Sequence, residues 1–143
     1  MYEKQEWSDV YGETPFNSTR MKHIENGIYE NSYESGSNEN GDWIKYSDGT
    51  MICTMKKTLT VTTLNRPWGN LYVTPIISGY DFPQKFIQPP TVNVNVNSNG
   101  NAWYLSGGTT ATNERTEAFF LASGVTATSF QCILNYIAIG KWK

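Results

Sequence analysis

The run Thr91-Val92-Asn93-Val94-Asn95-Val96-Asn97 alternates without error, placing three valines on one side of the chain and three asparagines on the other. Side chains of an extended strand leave the backbone on opposite faces with a period of two, so this run has one dry face and one wet face. It predicts a half-buried strand of an antiparallel sheet. The segment 50–61 repeats the pattern: Met51, Cys53, Met55, Leu59 and Val61 share one face, and Ile52 is the only large apolar residue among the threonines and lysine of the other. Ahead of it, Trp43-Ile44-Lys45-Tyr46 and the turn Ser47-Asp48-Gly49 predict a tight Asp-Gly hairpin. Aromatic residues make up 14% of the chain and charged residues only 17%. With abundant Asn, Ser and Thr, that balance suits short strands joined by many turns.

The remaining strand signals are less regular. Residues 65–90 are rich in proline and aromatics, which predicts mostly loop with one short strand near 70–74. Ser98-Asn99-Gly100-Asn101 predicts a turn that brings 102–105 back as the hairpin partner of 91–97. Residues 106–117 read as an exposed loop, and 117–123 and 130–142 as closing strands. In the last of these, one face carries Phe130, Cys132, Leu134, Tyr136, Ala138 and Trp142, and the other carries Ile133, Ile137 and Ile139. A strand apolar on both faces in so small a domain predicts that its second face meets another subunit or the N-terminal arm.

The N-terminal part follows a different period. Pro15 fixes an entry turn, Asn17 can cap a first helical turn, and Met21, Ile24 and Ile28 recur at three- and four-residue steps. A helix over 17–33 follows, with an apolar stripe too narrow to cover a globular core but suited to the seam of a parallel bundle of identical chains. Gly27 costs such a helix about 1 kcal/mol relative to alanine, so association must supply its order. Residues 1–16, with Tyr2, Trp7, Val10 and Tyr11, read as an extended docking arm, and the small polar run 34–41 as a flexible joint. The expected division is therefore 1–35 for attachment and trimerisation and 36–143 for a small antiparallel β-sandwich head, a mainly β fold with one short helix.

Charge and cysteine usage exclude several classes. A net charge of −2 and the lack of a dense Lys/Arg patch argue against nucleic acid as partner, Lys56-Lys57 being the only basic doublet. No stretch approaches a membrane span, and the first residues lack a signal-peptide core, so folding in a cytosol is expected. Cys53 and Cys132 are the only cysteines; they form no disulfide framework of the secreted type and no zinc site with the lone His23. Both are expected buried and reduced, and no metal or cofactor is expected.

Thr14-Pro15-Phe16-Asn17, followed by Arg20-Met21 and His23-Ile24-Glu25-Asn26-Gly27-Ile28, resembles a segment of bacteriophage and prophage tail-fibre and baseplate proteins. Gly41-Asp42-Trp43-Ile44-Lys45-Tyr46-Ser47-Asp48-Gly49-Thr50 and the ending Ile137-Ala138-Ile139-Gly140-Lys141-Trp142 are similar to C-terminal receptor-binding modules of tail fibres. The order of Phe86, Pro89-Pro90, the alternating strand, Gly124-Val125-Thr126 and Tyr136-Ile137-Ala138-Ile139-Gly140 resembles the H-type lectin domain. These resemblances imply a trimeric β-sandwich in a virion tail, with other tail or baseplate proteins as partners and a host-surface polysaccharide as ligand.

A saccharide site needs an aromatic face for sugar C–H groups and planar polar side chains for hydroxyls. Asn99, Asn101 and Trp103 on one hairpin and Asn113, Glu114 and Arg115 on the next loop supply both, provided the two loops share one end of the sandwich; Trp68 and Tyr80 are further candidates. Two other classes stay open. A polysaccharide-cleaving enzyme would need two facing carboxyl groups, and Asp42, Asp48, Asp81, Glu114 and Glu117 single out no pair. A purely structural tail component would use the same trimer without a ligand.

Overall fold

The structure, a computed structural model, describes residue 3 and residues 18–143. The expected arm over 1–16 and the capping role of Asn17 lie outside the described residues. Helix α1 runs Ser18–Glu30, ending earlier than its periodicity predicts. The Asn31 amide and Nδ2 both donate to the Gly27 carbonyl, and the Ser32 amide and hydroxyl both donate to the Tyr29 carbonyl. These bonds satisfy carbonyls that a helix end leaves orphaned. Ser47 then fastens the exit, its amide donating to the Ser32 carbonyl and its hydroxyl to that of Glu30. Along α1, Glu25 is buried, whereas Ile24 and Ile28 each remain 48% exposed, so a single chain does not cover the apolar stripe.

Among the described residues, nine strands follow. They are β1 Tyr33–Asn38, β2 Gly41–Tyr46, β3 Thr50–Val61, β4 Arg66–Trp68, β5 Leu71–Val73, β6 Thr91–Ser98, β7 Trp103–Ser106, β8 Phe119–Ser123 and β9 Phe130–Lys141. They form a five-stranded sheet in the order β1-β2-β3-β9-β6 and a four-stranded sheet in the order β4-β5-β8-β7, with every pairing antiparallel. The inward faces of the two sheets share one core, so the architecture is the expected sandwich.

Three expectations are corrected. The run 34–41 is not a joint: it is β1 and its turn, paired residue by residue with β2, and a boundary between 35 and 36 would cut that strand. Its small residues answer a steric demand. A Cβ on Gly36 would lie 2.5 Å from the Trp43 ring, and one on Gly41, at φ +148°, would lie 2.2 Å from the Thr54 carbonyl oxygen. Residues 66–68 are strand rather than loop, because Pro67 lies on the outermost strand of its sheet, where a missing amide donor is tolerated. Finally, 103–106 is not the hairpin partner of β6. Asn99 exchanges two hydrogen bonds with Gln131, its amide donating to the carbonyl at 3.2 Å and its Oδ1 accepting from the amide at 2.9 Å. This holds β6 against β9, and the chain then crosses to the other sheet to pair with β8.

The core centres on Phe86, Phe119, Leu121, Leu134 and Tyr136, with Met51 and Cys53 of β3 beneath them. Burying each such side chain contributes roughly 1.5–3 kcal/mol. Tyr104 stacks on Phe119 at 4.8 Å between ring centroids, and Phe82 meets Phe86 edge-on at 5.2 Å. Both cysteines are free and buried. Cys53 pairs with Ala138 and Cys132 with Leu59, which separates them along β3 by about 20 Å and rules out a bridge. Burial pushes the Cys53 thiol up to about 11. The C-terminus is clasped as well: Trp142 donates its indole N–H to the Tyr46 carbonyl at 2.9 Å, and Lys45 lies over the Trp43 and Trp142 rings at 4.8 and 5.5 Å.

Candidate functional site

The crossover from β6 to β7 opens a cleft of about 590 Å³ between the sheet edges. Ser98, Asn101 and Trp103 line one side, and Ser123, Gly124 and Val125 the other. Local bonds shape its wall: the Gly100 amide donates to Ser98 Oγ, the Ala102 amide to the Gly100 carbonyl, and the Val125 amide to Ser123 Oγ. Trp103 is 43% exposed and Val125 59%, so the cleft offers apolar surface beside hydroxyl and amide groups. That is the chemistry a sugar ring requires. Asn101 and Trp103 therefore line one cleft, although not on the expected hairpin. Asn99 does not line the cleft, since its side chain closes the turn onto Gln131.

The second expected cluster lies elsewhere. Trp103 begins β7 and pairs with Ala122, whereas Ser106 ends it and pairs with Phe119; the loop carrying Asn113, Glu114 and Arg115 leaves from that far end. The two loops thus sit at opposite ends of β7 and share no cleft. Arg115 donates through Nε to Asp81 at 2.7 Å and through Nη2 to the Gly79 carbonyl at 2.7 Å. Glu114 pairs with Lys85 at 2.5 Å, and its hydrogen bond to that ammonium, with the charge behind it, holds the carboxyl below its ordinary range. The Phe82 and Phe86 amides donate to the Glu114 and Asn113 carbonyls. The cluster pins the proline-rich stretch to the body. Tyr80 belongs to the packing too, tilted against Phe119 at 6.1 Å and edge-on to Tyr136 at 6.0 Å.

Trp68 stands on the outer face of the four-stranded sheet and is 57% exposed. Pairing aligns Arg66, Val73, Ala122 and Trp103 in one row across all four strands, with Trp68 two residues along on the same face. Val73 and Ala122 are buried although they lie outside the central core. On the five-stranded sheet, the corresponding outward row is Ile44, Ile52 and Ile139, with Ile137 in the next row opposite Thr54. Ile137 and Ile139 are each 48% exposed, while Ile133 is half-buried further along the same face. The contributions of Ile44 and Ile52 escape sequence reading because each needs the register of β2, β3 and β9.

Four of the five singled-out carboxylates have local partners, Asp42 being the exception among the described residues. Asp48 accepts from the Thr50 amide and hydroxyl, Asp81 and Glu114 are ion-paired, and Glu117 accepts from the hydroxyls of Tyr104 and Ser106. Among the described residues no group of three His, Cys, Asp or Glu side chains could hold a metal ion, and no helix is long and apolar enough to cross a membrane.

No protein-family description and no curated protein matches the chain. Two solved structures share its fold. The C-terminal fragment of the R1 pyocin fibre of P. aeruginosa is 15% identical with a TM-score of 0.53, over 87% of this chain and 32% of that one, so this chain spans about a third of that fragment. An N-truncated R1-type pyocin tail fibre is 15% identical with a TM-score of 0.50, over 83% of this chain and 94% of that one.

Proposed function

We propose that this chain is a tail-fibre component that assembles as a homotrimer and binds a host-surface saccharide. The observation carrying the reading is the cleft itself, where exposed Trp103 stands beside Asn101, Ser98 and Ser123 on a fold shared with pyocin tail fibres. The resemblance of the head to the H-type lectin domain supports the ligand class. Met21, Ile24 and Ile28 on α1 and Ile133, Ile137 and Ile139 on β9 form the subunit contacts; Ile24, Ile28, Ile137 and Ile139 are each about half exposed in one chain. The N-terminal segment joins other tail or baseplate proteins in the virion, after synthesis in the host cytoplasm. The protein is not an enzyme in this reading, because most of its singled-out carboxylates are already held by structural partners.

A shallow open cleft binds weakly per site, and linked copies raise the effective concentration. Trp103→Ala and Asn101→Ala are each expected to lower adsorption to host cell-wall polysaccharide about tenfold, the loss of one good contact, with little change in melting temperature. Adsorption equal to the parent's in both variants would place the site elsewhere. Absence of binding to any wall fraction by the parent would favour a purely structural tail component.

A further inference from the structure

Arg66 lies on the one sheet face that carries two exposed tryptophans, Trp68 and Trp103. Its guanidinium has no ion pair or hydrogen bond among the described residues, unlike Arg115, which is held by Asp81 and Gly79. The register that aligns Arg66, Val73, Ala122 and Trp103, and adds Trp68, Leu71, Phe120 and Leu105 around them, places no carboxylate on this face. A cavity of about 180 Å³ opens between Arg66, Trp68, Val73 and Phe120. Among the described residues, the face is therefore aromatic and sets no carboxylate beside its arginine.

Three inter-strand steps separate β4 from β7, so the backbones of Arg66 and Trp103 stand roughly 14 Å apart. That span exceeds one sugar ring, and the row ends beside the cleft at Trp103. A purely apolar partner would match the tryptophans but leave the guanidinium unpaired. An anion on a chain of stacked rings satisfies both features, because arginine binds carboxylate or phosphate through two parallel N–H donors while the indoles pack against ring faces.

We propose that the outer face of the four-stranded sheet is an extended subsite for an anionic polysaccharide, with Trp68 and Trp103 as stacking platforms and Arg66 as the anion contact. This rests on the saccharide-binding reading and names the ligand class the cleft alone does not. It assigns Trp68 and Arg66 a role in chain length and charge selection, whereas Asn101 serves the cleft.

Titration of the full-length protein, followed by tryptophan fluorescence and calorimetry, tests it. The probes are oligogalacturonates of two to six residues for carboxylate, phosphomannan for phosphodiester, and malto-oligosaccharides as neutral chains of matched length. The parent is expected to bind a galacturonate hexamer or phosphomannan about tenfold more tightly than the neutral hexamer, the worth of one charge-assisted contact, with the preference fading as salt rises. Arg66→Gln should erase that preference while leaving neutral binding unchanged. Trp68→Ala should reduce hexamer affinity to that of the dimer, and Trp68→Phe should restore part of it. Equal affinity of the parent for anionic and neutral chains, no binding of either anionic probe, or parental behaviour of both Arg66→Gln and Trp68→Ala at an unchanged melting temperature would overturn the proposal. If Asn101→Ala still loses wall adsorption in that case, the cleft reading survives and only the extended subsite falls.

Discussion

The two sheets turn opposite kinds of apolar surface to the outside. The five-stranded sheet shows Ile44, Ile52, Ile137 and Ile139 among threonines and asparagines, while the four-stranded sheet shows Trp68, Phe120 and Trp103 around a single arginine. Isoleucine is stiff, saturated and without a polar atom, so it suits close packing against another protein surface. Tryptophan carries a flat π face and an N–H donor, and suits a ligand that has both ring faces and polar groups. Exposure alone does not assign a role, because Ile137 at 48% and Trp103 at 43% are exposed to a similar degree. In the proposed function, side-chain chemistry divides assembly from recognition.

Four variants probe that division. The largest effect belongs to neither face: Phe119→Ala empties the space between the sheets and is expected to cost about 3–5 kcal/mol, read as a collapse of the thermal midpoint with loss of both assembly and binding. Next comes the paired change Ile137→Asp with Ile139→Asp, which places two charges on the isoleucine face. Sedimentation equilibrium should show three-chain particles giving way to single chains that retain β circular dichroism and per-site saccharide affinity; a parent that is already monomeric would break the assembly half of the comparison. A smaller effect is expected for Arg115→Ala, which removes the Asp81 pair and the Gly79 contact. Roughly 1 kcal/mol of stability should go, with wall adsorption unchanged, and a lost adsorption would return the 113–115 loop to the binding surface.

The smallest effect concerns pH. The Thr50 backbone amide, then its hydroxyl, hold the Asp48 carboxyl below its ordinary value, with Lys141 and Lys143 adding a little. A carboxylate depressed in the folded state stabilises above its unfolded pKa of about 3.9, and that stabilisation is lost as pH falls through the folded value. Asp48→Asn should therefore flatten the acid-side fall in melting temperature slightly and leave both outer faces untouched. An unaltered acid profile would show that the β2–β3 turn does not depend on this charge.

The long strands were legible because each obeys a period of two over many residues: β3, β6 and most of β9 follow directly from the alternation of Met51 to Val61, Val92 to Val96 and Phe130 to Ala138. β1 was not, because Gly36, which fits against Trp43, and the serines on either side of it have the composition of a linker. β4 was hidden by Pro67, and the partner of β7 by a turn at Asn99 that looks like a hairpin but ties its first strand to β9. Within the candidate cleft, Asn101 and Trp103 were legible as a pair because they lie two residues apart, at the end of a turn and the start of a strand. The 113–115 cluster misled because Asp81, Lys85 and Gly79, which occupy its charges, lie some thirty residues away in the chain. The common face of Trp68 and Trp103 needs the register of four strands and is not written in any local pattern.

Hydroxyl-radical footprinting of the assembled full-length protein, read by mass spectrometry with and without host cell-wall polysaccharide, tests the division of labour most directly. The account predicts that Ile137 and Ile139 are protected in the assembly whether or not polysaccharide is present, and that Trp68 and Trp103 are oxidised freely until polysaccharide protects them. Protection of the tryptophans in the assembly alone, with the isoleucines left open to oxidation, would contradict it.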